Sequence, residues 1–332
     1  MPAEEKMRLV IIIFLISIFS SSLRAEKLTV YTYDSFVSEW GPGPIVEKIF
    51  EDKYEIDLQF IAVDSAATLL NKIILEGENT KADLVLGLDM NLFNAAEKSE
   101  LFVSHNLKNI NNKLTLPLNW ESDIFVPYNY GYFAFVYNNK TLKNPPLSME
   151  DLINKTDARI VIQDPRTSTP GLGLLTWMKA LYGDSAQNKW SQLNKKIISV
   201  TKGWTDAYYN FFMAGEADIV LSYSTSPAAH IMFEENYDIS ASTFKEGNYI
   251  SVEFAGILNS SKNKQMANKF LDFMISDDFQ KVIPGTNIMY PVTDVEMPEA
   301  FNKLEIPKML QLDPKDINDN KDAWINEWLN AS

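Results

Sequence analysis

The sequence predicts an α/β protein of two lobes, each a mainly parallel sheet flanked by helices, with a ligand cleft between the lobes. Three observations carry this reading. Short apolar runs of strand length alternate with helical runs along most of the chain, as repeated βα units require. No flexible linker separates the halves, so strands that cross between the lobes must join them. The strands empty again and again into hydroxyl-rich or aromatic loops that open helices, and in open α/β sheets such loops hold ligands. Residues 26–130 and 255–332 are expected to form the first lobe, and residues 131–254 the second.

The elements follow in order. LVIIIFLISIF (9–19) is an eleven-residue apolar run, too short to span a bilayer and of the length of a signal-peptide core. SSSLRA ends in a small residue, so residues 1–25 are expected to be a signal peptide cleaved after Ala25. Two acids before the core, Glu4 and Glu5, are atypical of such a segment, and Met7 followed by Arg8 gives a cleaner start. KLTVYTY (27–33) is then a strand and PIVEKIFEDKY (44–54) a helix. IDLQFIAV (56–63) is the second strand. DSAATLLNKIILEGEN (64–79) has Leu69/Ile73 and Leu70/Ile74 at i, i+4 spacing, with Asp64 or Ser65 as N-cap. ADLVLGL (82–88) is a short buried strand. YGYFAFVYNN (130–139) opens the second lobe, and Ser148 with Asp151 makes a capping pair before the next helix. RIVI (159–162), ADIVLSY (217–223) and NYISVEFAGIL (248–258) are further strands. KQMANKFLDFMISDDFQKVI (264–283) reads as one amphipathic helix. Trp324 and Trp328, at i, i+4 in a last helix capped by Asp313 and Pro314, read as core packing.

Charge narrows the partners. The chain carries −14. Cleavage after Ala25 would remove three basic and two acidic residues and leave −15. An acidic chain is a poor nucleic-acid binder and is compatible with a cationic ligand. The absence of cysteine removes disulfides, a lipoprotein anchor and a cysteine nucleophile. No P-loop, GxSxG or HExxH is present, so no catalytic residue, cofactor or metal is assigned. A free monomer in the periplasm is expected.

QDPRTSTPGLG (163–173) joins a strand to a helix. Thr169 is expected as N-cap and Pro170 at the first helical position. Such a helix start can hold an anionic group, although an ordinary capped loop uses the same residues. Other loops at the expected cleft add Tyr33 and Trp40, Asp64 and Ser65, Trp204 in KGW, SYSTSP (222–227), and PGTNIMYPV (284–292). Together they offer aromatic faces, hydroxyl and N–H donors, and one carboxylate. A site of these parts suits a flat cationic ring system with a hydroxyl or phosphate tail.

TVYTYDSF with WGPGP, ADLVLGLD, NPP, QDPRTSTPGLGL, TKGW, VLSYSTSP and MYPV occur in order and at compatible spacing. In these motifs the chain resembles the periplasmic thiamine-binding proteins of bacterial thiamine ABC importers, from about Lys27 to about Trp328. The resemblance implies a type II periplasmic-binding-protein fold. It also implies binding of thiamine and of thiamine monophosphate or diphosphate, and delivery to a membrane permease driven by a cytoplasmic ATPase. By the same resemblance Asp64 and Ser65 would meet the aminopyrimidine, and Ser168 and Thr169 the hydroxyethyl or phosphate end. Trp204 and Tyr223, Ser224, Thr225, Ser226 and Pro227 would line the ring slot, with Tyr33 and Trp40 as walls. Two positions depart from the family: Ala229 and Ile288 stand where it often has aromatics. Tyr249, Phe254 and Phe233 are the nearby rings that could compensate.

Alternatives stay open at this point. The same fold could bind ferric iron, with Tyr208, Tyr209 and Tyr223 as ligands, or a thiamine-related pyrimidine. A thiamine-processing enzyme is a more distant reading. Adjacent tyrosines on a helix point about 100° apart, so Tyr208 and Tyr209 could equally be one core and one exposed residue. His105 and His230 are the only histidines, and a packing role suits both.

Overall fold

In a computed structural model, residues 26–331 are described. The expected signal peptide and the start at Met7 lie outside them. The strands are β1 (Glu26–Tyr33), β2 (Ile56–Val63), β3 (Leu84–Asp89), β4 (Phe102–Val103), β5 (Phe125–Asn138) and β6 (Ile160–Gln163). They continue with β7 (Ile197–Thr201), β8 (Ile219–Tyr223), β9 (Ile239–Ala241), β10 (Asn248–Leu258), β11 (Tyr290–Pro291) and β12 (Met309–Leu310).

The main strand order is β2-β1-β3-β10-β5-β8-β6-β7. β5 is longer than the sequence suggests and serves both halves. Phe125 to Tyr132 pair with β10, and Phe133 to Tyr137 pair with β8. Both strands are almost wholly buried, which explains their near-continuous apolar sequences.

The sheets are mixed rather than mainly parallel. β1 runs parallel to β2 and β3, and β6 parallel to β7 and β8. β10, however, is antiparallel to β3, β4 and β5, and β5 is antiparallel to β8, β9 and β11. The reason is topological. β5 leads the chain from one half to the other and β10 leads it back, so the two must run in opposite directions.

Local chemistry sets the helices that face the cleft. Ser65 caps helix Ala66–Glu76 by accepting from Thr68 N–H at 3.2 Å. That leaves Asp64 just outside the cap. Leu69 and Ile73 are buried as expected, whereas Ile74 is exposed. Ser148 accepts from Asp151 N–H and caps Met149–Asn154. The helix Thr169–Tyr182 starts one residue earlier than expected. Ser168 is the N-cap, without a side-chain cap bond, and Thr169 lies inside the helix.

The run 264–283 is not one helix. It stops at Met274, resumes for Asp277–Gln280 and turns again at Ile283–Thr286. Ser276 is extended and donates its hydroxyl to Phe273 O at 2.6 Å, a local bond that competes with continued helix. The buried Gln280 amide donates to Tyr128 O and accepts from Val292 N–H, which ties this segment to β5. The break carries Thr286 to Met289 to the cleft.

The last helix, Pro314–Asn330, is capped by Asp313 as the sequence predicts. It packs against Phe93–Lys98 of one half and against Thr169–Tyr182 and Ala186–Leu193 of the other. Lys98–Asp319 and Lys179–Glu327 ion pairs reinforce the two contacts. Trp328 is 4% exposed and Trp324 packs at its side. Trp328→Ala should therefore cost about 3–5 kcal/mol of stability, the usual range for truncating a buried large aromatic. Urea unfolding should show the lower midpoint, while ligand affinity of the folded fraction stays within about twofold.

Candidate functional site

A cavity of about 330 Å³ lies between the two halves, within the range of small-molecule sites. β1 and β2 end on one side of it. Tyr33 closes β1, and Gly87 on β3 allows its approach: a side chain there would meet the Tyr33 ring at 2.3 Å, and the residue sits at φ +103°. Trp40, Asp64 and Ser65 complete this side.

The opposite side comes from loops after β6, β7 and β8. Thr167, Ser168, Thr169 and Pro170 line it at the start of their helix. Thr169 is already engaged, its hydroxyl donating to Asp89 Oδ2 at 3.0 Å across the cleft. Trp204, Tyr208, Tyr209 and Tyr223 supply aromatic surface, with Thr225 and Ser226 beside them.

Trp204 is held firmly. Its indole N–H donates to Ser222 Oγ at 2.7 Å, and Ser222 is 2.8 Å from Ser226 Oγ. Tyr208 stacks on Trp204 with ring centroids 4.8 Å apart and 29° between planes. Tyr208 in turn shares a 2.9 Å hydrogen bond with His230 Nε2, and His230 Nδ1 meets Glu234 at 2.9 Å. Tyr208 is buried and Tyr209 half exposed, the split a packing reading of the pair expects. The segment that carries them, Asp206–Met213, is a π-helix rather than a regular α-helix, a distortion frequent at functional sites.

The floor is the middle of β10, where its pairing with β5 shifts register at Glu253. Glu253 lies buried there, and Thr286, Asn287, Ile288 and Met289 border it. Ile288 has φ +54°, a left-handed conformation that a β-branched residue adopts only at a cost of roughly 1–3 kcal/mol.

Of the residues expected at the site, Tyr33, Trp40, Asp64, Ser65, Ser168, Thr169, Trp204, Tyr223, Thr225 and Ser226 all line the cavity. Ser224 and Pro227 do not. Both are buried behind it, Pro227 as an early residue of helix Ser226–Glu234. Asp64 is not alone at the mouth, since Lys202 on the opposite loop pairs with it. Ala229 and Ile288 both line the cavity, as does Phe233, which is 68% exposed. Tyr249 and Phe254 are core residues outside it.

Three residues escaped the sequence reading. Glu253 is the one charged residue in NYISVEFAGIL, and a lone acid in a buried strand was the available signal. Asp89 ends the run ADLVLGLD. His230 was readable only as a packing residue until Tyr208 and Glu234 were placed around it. Burial pushes the Asp89 carboxyl up to about 6, although the Asn91 N–H and Thr169 hydroxyl bonds oppose the rise. Burial likewise raises Glu253, against the lowering effect of its hydrogen-bond donors.

This architecture belongs to a known family. The profile described as bacterial extracellular solute-binding protein matches residues 79–320, and the chain belongs to that family. It is 48% identical over 306 residues to the thiamine-binding periplasmic protein of Escherichia coli K12, covering 92% of this chain and 93% of the relative. A solved periplasmic thiamin binding protein superposes with a TM-score of 0.90 at 48% identity, over 94% of this chain and 98% of the other. A ferric binding protein from Campylobacter jejuni, 20% identical, shares the fold with a TM-score of 0.78 over 92% of this chain and 99% of its own.

The buried Asp89 makes a testable demand on pH. Its folded value near 6 lies above the unfolded value of about 4. The folded state therefore holds the proton more tightly, and its stabilisation is complete below about pH 4 and lost as pH rises through 6. Asp89→Asn should remove this component. The stability of the wild type relative to the variant should fall between pH 4 and 6 in denaturant titrations, and a flat difference would rule the assignment out.

Proposed function

We propose that the protein is the thiamine-binding component of a bacterial ABC importer, a periplasmic carrier that delivers intact ligand to a membrane permease coupled to a cytoplasmic ATPase. One observation carries the reading: the interlobe cavity sets an aromatic wall against carboxylates, and among the described residues no lysine or arginine lines it. That chemistry suits a flat cationic ligand and disfavours a strongly anionic one. The relatives at 48% identity named for thiamine support the same ligand. The iron-binding neighbour is too distant to bear on more than the fold.

The residues divide the ligand between them. Asp64, released from Lys202, accepts from the exocyclic amine of the pyrimidine, and Ser65 stands beside it. Trp204 and Tyr223 flank the rings, with Tyr33 and Trp40 as outer walls. Ser168 and Thr169 meet the hydroxyethyl end. Thiamine monophosphate and diphosphate enter the same slot, but more weakly than thiamine. Asp89 lies directly behind the Thr169 hydroxyl, and a carboxylate in that place repels a phosphate.

Native mass spectrometry of protein purified from its cells should show bound thiamine with unchanged mass. Conversion of added thiamine to fragments would favour an enzyme instead. Trp204→Ala should weaken thiamine by about 1–3 kcal/mol, the scale of stacking a flat ring on an aromatic side chain. Titration calorimetry measures the loss directly. An unchanged affinity in a folded variant would exclude Trp204 from the ring slot.

A further inference from the structure

We propose that Glu253 is the counter-charge by which this site selects a permanently cationic ligand, the thiazolium ring in the ligand reading above, on which this inference rests. Glu253 is 91% buried on β10, where the strand pairing is irregular, and it borders the cavity. Irregular strand positions commonly re-aim a side chain toward a site. Its partner in the β3–β10 register is Asp89, a second buried acid, and its partner in the β5–β10 register is Asn129.

One oxygen of this carboxylate already takes three hydrogen bonds from the protein. Glu253 Oε2 accepts from Tyr128 OH at 2.5 Å, from Asn129 Nδ2 at 2.7 Å and from Tyr33 OH at 2.9 Å. Every one of these donors is neutral. Among the described residues, no ion pair includes Glu253 and no lysine or arginine lines the cavity. Oε2 is thus fixed, while no cationic side chain balances the charge this carboxylate carries when ionised, in a desolvated place beside a second acid. A quaternary ring nitrogen is the complement of this arrangement. It has no N–H to donate, so it can be recognised only through its charge, and that attraction is strongest where water is excluded.

A proton is then linked to binding. The titratable groups facing Glu253 are Tyr33 on β1, Tyr128 on β5, Asp89 on β3 and Tyr223 at the end of β8, with the neutral Asn129 and Asn287. All three tyrosines are raised by burial, so they stay protonated. Burial also favours the protonated form of Glu253 in the free protein. An entering cation favours the carboxylate, so binding expels the proton, and affinity rises with pH until the free protein is already ionised.

The test compares thiamine with a neutral analogue in which a benzene ring replaces the thiazolium. Titration calorimetry in buffers of different ionisation enthalpy should show proton release when the wild type binds thiamine at mildly acidic pH, and none with the analogue. Glu253→Gln should weaken thiamine at least tenfold, change the analogue less than twofold, and abolish most of the release. Equal losses for both ligands, or release that persists in full in the variant, would overturn the inference while leaving thiamine as the ligand. If Glu253→Gln does not fold, Glu253→Asp, which keeps the charge, should retain the preference for thiamine over the analogue. Loss of that preference in a folded Glu253→Asp would also count against the inference. A wild type that binds no thiamine would defeat the ligand reading itself, and the inference with it.

Discussion

Phe125 to Tyr132 hydrogen-bond to β10 and Phe133 to Tyr137 to β8, so one unbroken strand belongs to two sheets. The two halves meet along it. Backbone groups on a buried strand must be paired. β5 therefore cannot fray without exposing both sheets, which makes it a firm support behind a cleft whose walls come from loops. Glu253, on the strand paired with this one, inherits that rigidity. Its three donors come from β1 and β5, and none of them is a loop residue.

The walls are organised differently. The aromatic side is a stack in which each ring is oriented by the next: Trp204 by Tyr208 and Ser222, Tyr208 by His230, His230 by Glu234. Such a chain holds a flat surface at a fixed angle before a ligand arrives, and preorganisation lowers the ordering cost of binding. Trp40, Tyr209 and Phe233, by contrast, are at least half exposed at the rim. Contacts that span the cleft are few and polar, Thr169 with Asp89 and Lys202 with Asp64. The exposed pair is a weak tie, since solvent screens it.

The Pro314–Asn330 helix adds a second connection. It lies across both halves and seats Trp328 in the core. Arg166 sits 6.0 Å over the Trp328 ring, only two residues before Ser168. The loop that opens helix Thr169–Tyr182 is thus backed by the same element that clasps the halves. A ligand-facing loop gains a rigid support in this way although none of the last helix reaches the cavity.

Much of this was legible in the sequence because it rests on local chemistry. Apolar periodicity marked the strands, Ser65, Ser148 and Asp313 marked helix starts, and hydroxyl and aromatic loops at strand ends marked ten of the cavity residues. Sequence alone did not decide what depends on partners brought from afar. The direction of β10, and hence the mixed sheets, followed from its pairing with β5, 120 or so residues away. The break at Ser276 came from a side-chain bond and from Gln280 reaching β5. Asp64 gained Lys202, and Thr169 gained Asp89, only when the two halves met. Glu253 became a site residue for the same reason. A glutamate in an apolar strand signals burial, but only the tertiary structure supplies the three neutral donors, the neighbouring Asp89 and the open cavity that turn a buried charge into one able to read a ligand.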